Sequence, residues 1–368
     1  MQNAQNGDGS IRPTTWGALI MPQQDANQSA DADLQPSVLA GRVQSGDPAE
    51  DNLVFDLLFD YETVPLTRAN FSRDVTFAGT LSAAVYREEV GTSSHNLGTM
   101  RGDKIAICIP LVDTSSSWWG QRLKPGQLPI SRSGQSIHFT YHDGHENLVV
   151  AVDRALYEGS RIGWLSDSCL PEAVTHEPLG QQFLRCPPER VARWSNRLQN
   201  LLQAATKPLN TMSAASLENE LVTAMRSLIG GGDVAAPHTS TAKVLVEAAL
   251  EQLDTNGGQP SVADLCAALH VGRRTLEVAF RQVVGASPRQ FLIQRQLSRS
   301  YALLKAGTPD STRVTDVAVA CGFFELGRFS GRYRQAFGET PRHTLCRRVA
   351  RTHPKVLAHS GESPRALR

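Results

Sequence analysis

No stretch of this 368-residue chain is apolar for long enough to cross a bilayer. Its longest apolar run, near Ile105 to Val112, falls far short of the roughly 18 residues that a spanning helix needs. The opening residues, MQNAQNGDGSIRPTTW, lack the basic-then-apolar layout of a secretory signal, which predicts a cytoplasmic protein with no membrane contact. Cysteine is sparse: Cys108, Cys169, Cys186, Cys266, Cys321 and Cys346 lie scattered, without a C-x-x-C pair. Several of them sit at apolar helix or strand positions, so buried, reduced thiols are expected. There is no nucleophile elbow, no phosphate-cradling glycine loop and no dinucleotide fingerprint, so no catalytic residue and no cofactor is assigned. Asn70-Phe71-Ser72 has the form of a glycosylation sequon, but a cytoplasmic location leaves it without meaning.

Net charge is also nearly absent, at +1, but this balance hides an asymmetry. Residues 1–64 carry only Arg12 and Arg42 as basic groups, against ten acids that include Asp31, Asp33, Glu50 and Asp51. From His270 to Ala350 fourteen Lys or Arg stand against Glu277, Asp310, Asp316, Glu325 and Glu339. A local basic face, rather than the net charge, is what a phosphate backbone senses. The acidic, Gln/Asn/Ser-rich residues 1–50 read as a disordered leader, either solvated or shielding that basic face, and residues 351–368 as a disordered basic tail.

Short strand-like segments fill residues 51–170. VFDLLFDY is apolar, Thr67 to Val90 alternates through Phe71, Val75, Phe77, Leu81 and Val85, and KIAICIPLV is rich in β-branched residues. Beyond Val112, turns at Lys124-Pro125-Gly126, Ser133-Gly134 and Asp143-Gly144 separate further short strands, as in an all-β sandwich or barrel. His138, His142 and His145, with Glu146, are the one candidate metal cluster. The Asp143-Gly144 turn sends His145 onto the next strand, and no H-x-H pair is present, so no metal ligand is assigned. Trp118-Trp119 could line an apolar pocket, but neighbours on a strand face opposite ways, so one Trp is expected to point inward.

Residues 171–229 read as a helical connector. Val191, Trp194, Leu198, Leu201 and Leu202 form one apolar stripe and Leu217, Leu221, Met225 and Leu228 another, broken at Leu209 to Ser213. The stripes would serve either as a dimer contact or as packing against the β-rich region. Gly230-Gly231-Gly232 opens a flexible linker, 230–240, that would set the two halves on separate bodies.

Pro260 to Leu345 carries two similar units. In the first, Ser261 and Asp264 form a capping box, and Val262, Leu265, Ala268 and Leu269 give a short helix one apolar face. His270-Val271-Gly272 turns the chain, with Gly supplying the permissive backbone angle. A second helix from Arg273 buries Leu276, Ala279, Phe280 and Val283, shows Arg273, Arg274, Glu277 and Arg281, and stops at Gly285. In the second unit Val314, Val317, Ala318 and Cys321 repeat the short helix, and Gly322-Phe323 turns it. Phe329, Tyr333 and Phe337 then bury one side of a helix that shows Glu325, Arg328, Arg332 and Arg334 and ends at Gly338, before Pro341. Arg313 stands before Val314, where a capping Ser or Thr would be expected. A helix from Pro288 to Lys305 joins the units and spans roughly 20–25 Å. That is a length able to set two helices into successive DNA major grooves, about 34 Å apart. One such unit alone would pass for a hairpin with a solvated basic face; two at this spacing point to DNA.

VGRRTLEVAFRQVVGASPRQF and DVAVACGFFELGRFSGRYRQAFGETP resemble the double helix–turn–helix domain of the AraC/XylS family of bacterial transcription regulators, over residues 240–350. The resemblance implies that Arg274 and Glu277 read bases from the first recognition helix while Arg273 and Thr275 hold phosphates. In the second, Leu326, Gly327, Ser330 and Gly331 fall at base-reading positions and Arg328 at a phosphate position. Leu326, Gly327 and Gly331 bring almost no hydrogen-bonding capacity to a groove. The first helix is therefore expected to supply most base specificity, and the second to grip backbone through Arg328 and Arg332. In this family the upstream place is commonly taken by a cupin-like sensor.

The expected architecture is a multi-domain α+β chain: leader 1–50, β-rich sensor or dimerisation domain 51–170, connector 171–229, linker 230–240, an all-α double helix–turn–helix domain 241–350, and tail 351–368. The expected function is a non-enzymatic DNA-binding regulator, tilted towards activation. Its expected partners are double-stranded DNA through the major groove, a small-molecule effector, a second copy of the chain and RNA polymerase. Two alternatives stay open: a constitutive DNA-binding assembly module, and a metal-dependent cupin enzyme carrying a DNA-binding tail.

Overall fold

The alternation of the first half folds into two facing antiparallel sheets in the computed structural model. It describes residues 38–46, 58–67, 71–112, 115–134, 136–159, 182–207, 211–230, 233–235, 240–255 and 260–347. The strands are β1 (Leu39–Ser45), β2 (Phe59–Pro65), β3 (Arg73–Gly79), β4 (Ala83–Val90), β5 (Ser94–Met100), β6 (Lys104–Pro110), β7 (Ser117–Trp118), β8 (Gln121–Arg122), β9 (Gln127–Arg132), β10 (Ser136–Tyr141), β11 (His145–Asp153), β12 (Gln182–Arg185) and β13 (Asp233–Ala235). One sheet is ordered β1-β3-β4-β11-β6-β9-β12-β13 and the other β2-β5-β10-β7-β8. Left-handed glycines at Gly126, Gly134 and Gly144 make the tight turns where the sequence places them.

Between the sheets Val75, Tyr86, Val90, Cys108 and Val149 of the large sheet meet Phe59, Met100, Trp118, Ile137, Phe139 and Tyr141 of the small one. A buried polar network also crosses this space. Arg73 pairs with Glu88 at 3.1 Å and donates to Ser94 Oγ at 3.0 Å, while Asn147 donates to Glu88 at 3.1 Å and to the Tyr141 hydroxyl at 2.7 Å. Burial pushes the Glu88 carboxyl up, against the pull of Arg73 and Asn147. Breaking one partner of such a pair is costly, because the other charge stays buried.

The outer face of the large sheet is covered by α2 (Pro188–Ala205) and α3 (Ala214–Ile229), which come after a short α1 (Arg154–Gly159). Leu198, Leu202, Leu217, Leu221 and Leu228 lie in one core with Val85, Ile107 and Val150. The apolar stripes of the connector therefore pack on the sheet, which withdraws them from any dimer contact. Among the described residues no helix is long and apolar enough to cross a membrane. Cys108, Cys186 and Cys321 are buried free thiols, Cys266 is half-buried and Cys346 exposed, while Cys169 lies outside the described residues.

Four expectations change. Residues Leu39–Ser45 of the supposed leader form β1 in full register with β3, from Leu39 opposite Gly79 to Ser45 opposite Arg73. Its Arg42 and Gln44 both bond Asp74, so what reads as polar disorder is the outward side of an edge strand. The rest of the leader before Val38, and the tail from 351, lie outside the described residues. Within the supposed linker, Asp233–Ala235 add β13 to β12 and pair a backbone edge that would otherwise be open. Both tryptophans are buried, Trp118 at 3% exposure and Trp119 at 6%. Trp119 sits in a turn at φ 51° rather than on a strand, so strand alternation does not govern it.

The fourth change concerns the two halves, which are not separate bodies: the described residues fall in one compact unit. Helices α4 (Thr241–Thr255), α5 (Val262–Ala268), α6 (Arg273–Val283) and α7 (Pro288–Ala306) share a core with Val64, Leu66 and Leu97 from the small sheet. Thr140 on β10 lies 3.2 Å from the Val283 carbonyl and 3.3 Å from that of Val284, the end of α6. Its single hydroxyl proton serves these carbonyls, so its oxygen accepts from His95 Nδ1 at 2.9 Å, which sets the His95 tautomer. Arg295 of α7 pairs with Glu62 of β2 at 2.8 Å, Gln290 donates to the Leu66 carbonyl at 3.3 Å, and Lys243 of α4 stands 5.7 Å over the Trp119 ring.

Gly120 and Gly134 test this contact. Both have left-handed backbone, φ 75° and 77°. A Cβ on Gly120 would stand 2.7 Å from the Gln282 carbonyl, whereas one on Gly134 would meet nothing within 4 Å. Gly134→Ala should cost about 1–2 kcal/mol from backbone strain alone. Gly120→Ala should cost clearly more in urea unfolding; equal costs would mean the two halves separate without penalty.

Two buried histidines set a pH dependence. Burial, with His138 and Arg295 nearby, holds His95 well below the usual imidazole range. Burial, Arg73 and His142 bring His145 down to about 3. Both stay neutral when folded and charge on unfolding, so their contribution is complete above about pH 6.5 and is lost as pH falls below it, by up to ~1.4 kcal/mol per pH unit for each. Unfolding midpoints should drop between about pH 6.5 and 5, and His145→Phe should flatten that drop.

Candidate nucleic-acid interface

The two candidate recognition helices are built by local signals. The capping box at α5 is formed in both directions: Ser261 N donates to Asp264 at 2.8 Å and Asp264 N to Ser261 Oγ at 3.3 Å. The bond from the Ser261 backbone holds the Asp264 carboxyl low. The turn differs in detail from what the sequence predicts. His270 takes the left-handed angle, φ 53°, while Gly272 is the extended N-cap of α6 at φ −69°. Histidine tolerates that region better than most side chains.

Along α6, Leu276, Ala279, Phe280 and Val283 are buried. Arg273, Arg274, Thr275 and Arg281 are exposed, and Glu277 is half-buried. Arg273 donates to Glu277 Oε1 at 3.0 Å, so this carboxylate is oriented by its own helix while its second oxygen can still accept from another donor.

Ser287 caps α7, accepting from Gln290 N at 3.3 Å. Phe291 and Leu292 root this helix in the first core; Leu297, Tyr301 and Leu304 root it in a second. That second core holds α8 (Val314–Ala320), α9 (Leu326–Phe337) and α10 (Pro341–Cys346). As the sequence suggests, Arg313 gives α8 no side-chain cap, and Gly338 ends α9 in the left-handed form, φ 72°. Pro341, which reads in sequence only as a stop, instead opens α10, capped by Thr340. The Tyr333 hydroxyl donates to Thr344 at 2.8 Å and ties α9 to α10.

Leu326, Gly327, Ser330 and Gly331 all face outward on α9. Arg328 is exposed and bonds Glu325 at 2.9 Å; Arg332 is half-buried. Three exposed apolar side chains of these units are not anticipated by the sequence pattern: Phe324, in the turn before α9, at 81% exposure, Val278 on α6 at 57% and Val319 on α8 at 51%. An aromatic directly after the buried Phe323 was the available signal for the first. His145 is buried in the sandwich beside Trp118 and Tyr141, His138 is buried beside His95 on the face of β10 that meets the helices, and His142 is half-buried. Among the described residues no three His, Cys, Asp or Glu side chains gather as metal ligands.

A helix-turn-helix domain model matches residues 265–347, from within α5 to the end of α10. The matching relatives carry the same kind of name. The chain is 32% identical over 158 residues to "Probable thc operon regulatory protein" of Rhodococcus erythropolis, covering 40% of this chain and 47% of that protein. It is 38% identical over 72 residues to "XylDLEGF operon transcriptional activator 2" of Pseudomonas putida, covering 20% and 46%. The C-terminal domain is of the AraC/XylS type. The chain spans about half the length of these curated relatives. Among solved structures it is similar to an AraC-type DNA-binding domain protein from Chromobacterium violaceum, at 28% identity, TM-score 0.26, covering 28% of this chain and 91% of that one. It is also similar to the AraC-like transcriptional activator CuxR, at 13% identity, TM-score 0.36, covering 75% and 98%.

Arginines at two places in this AraC/XylS-type domain should behave differently. Arg274→Ala should cost about 1–3 kcal/mol on a cognate DNA and relax preference at one position. Arg328→Ala should weaken all sequences evenly and flatten the salt dependence by about one unit. Binding isotherms across a salt series distinguish the two; an even loss for Arg274→Ala would remove it from base reading.

Proposed function

We propose that this chain is a sequence-specific DNA-binding transcription regulator that responds to a small-molecule effector through its β-rich half. The observation that carries the reading is the tandem itself: α6 and α9, each rooted in its own core and joined by α7, present Arg273, Arg274, Thr275, Arg281 and Arg328 to solvent. Surfaces of this kind neutralise phosphates while groove-facing side chains select sequence. In this reading Arg273 and Thr275 hold phosphates and Arg274 and Glu277 read bases. Residues 241–350 form the DNA-binding domain and 51–170 the sensor, with the 171–229 helices buttressing it.

The effector-responsive reading is favoured over a constitutive module by the cap that Thr140 places on the end of α6. A rearrangement of the small sheet on ligand binding would be felt directly at the first recognition helix. The chain carries no catalytic role in this account. It acts in the cytoplasm as a homodimer, through a surface other than the leucine stripes of α2 and α3, and activates by engaging RNA polymerase. Relatives named as operon regulators and activators support that direction.

Selection of genomic fragments by the purified full-length protein at near-physiological salt tests the proposal. Enrichment of a motif with two elements about one helical turn apart is expected. No enrichment by the full-length chain would overturn it.

A further inference from the structure

The DNA-binding reading leaves one surface of the second helix–turn–helix unit unexplained. Phe324 is 81% exposed and Leu326, the first residue of α9, is 42% exposed, although large apolar side chains gain by leaving water. Neither serves the core beneath them, which is filled by Phe323, Phe329 and Tyr333. Gly327 and Gly331, on the outward side of α9, have nothing within 4 Å of a would-be Cβ. Ser330 is thus the only hydroxyl or amide side chain at the four base-reading positions. Apart from Ser330, these positions offer base edges no hydrogen-bonding side chain. Glu325 stands between the apolar pair and bonds Arg328, but with Arg332 one turn further on the surroundings keep a net positive charge, complementary to phosphate.

The major groove offers one apolar feature that distinguishes bases, the 5-methyl group of thymine. We propose that the second helix–turn–helix unit selects thymine through apolar contact of Leu326 and Phe324 with thymine methyl groups, while Arg328 and Arg332 hold the flanking phosphates. This rests on the DNA-binding reading and deepens it. The second unit is then a reader of thymine methyls as well as a grip on the backbone, and the two halves of the binding site differ in kind. Hydrogen bonds from Arg274 and Glu277 specify one half, and shape and methyl placement specify the other. An exposed apolar pair could instead meet a protein such as RNA polymerase; the arginines beside it and its continuity with α9 favour DNA.

The test uses the full-length protein and a DNA fragment it retains. Thymines in the element contacted by the second unit are replaced one at a time by deoxyuridine, which removes only the methyl group. At one or two positions wild-type affinity should fall about threefold to tenfold. Leu326→Ala and Phe324→Ala should bind the thymine site more weakly and lose the distinction between thymine and deoxyuridine. Leu326→Gln, which restores an amide, should select a different base there. Both side chains are exposed, so thermal unfolding should be unchanged in these variants. Wild-type indifference to deoxyuridine throughout that element, with DNA binding intact, overturns the thymine reading alone. So does a deoxyuridine penalty that survives in both alanine variants. Retention of no DNA at all overturns this reading together with the proposed function.

Discussion

The first helix–turn–helix unit is arranged around the burial of one seam, where it meets the small sheet. Val64, Leu66 and Leu97 of the sheet complete the core that holds Leu276, Phe280 and Phe291, so this unit does not close its core alone. The last carbonyls of a helix have no partner within it. Here those of α6 end on Thr140, whose hydroxyl in turn orders His95. Gly120 is required at the seam because only a residue without a Cβ lets Gln282 approach so closely. Helix α6 is consequently fixed at its C-terminal end by the β-rich half, while its N-terminal residues remain open.

The second unit stands on different terms. Its core of Leu297, Tyr301, Leu304, Val317, Phe329 and Tyr333 comes from α7 onward and includes no strand residue. Helix α7 belongs to both cores, so it transmits the placement of the first unit to the second. A ligand that altered the small sheet would reach α6 through Thr140 and α7 through Glu62 and Arg295, two contacts on one side of the helical half. The polar network of Arg73, Glu88, Asn147 and Tyr141 ties the two sheets together with costly buried bonds, which makes the sandwich a stiff support for that seam.

Much of the candidate interface was legible because it is written in short-range code. The Ser261 capping box, the stops at Gly285 and Gly338, and the 3.6-residue periodicity of α6 and α9 each act over a few residues, and all formed as read. The turns at Gly126, Gly134 and Gly144 were legible for the same reason, and so was the strand alternation except at Leu81, which lies exposed in the turn between β3 and β4. Misreadings arose where a local rule was overruled. Polar Arg42 and Gln44 looked disordered because their strand partner, Asp74, is distant in the chain. Trp119 escaped strand alternation by turning, and the left-handed angle fell on His270 instead of the nearby glycine.

By itself the sequence determined the bounds and outward face of α6 and α9, the two candidate recognition helices, the helix that joins them and the strand-rich character of the first half. Periodicity, caps and turns are local, and each residue carries its own preference. Only the tertiary structure decided that the two halves share a core, that the leucine stripes of α2 and α3 are spent on the sheet, and that Thr140 caps a helix 143 residues further on. Such contacts leave no periodic trace in the chain. Their partners are chosen by the shape and unmet hydrogen bonds of surfaces that exist only once both have folded.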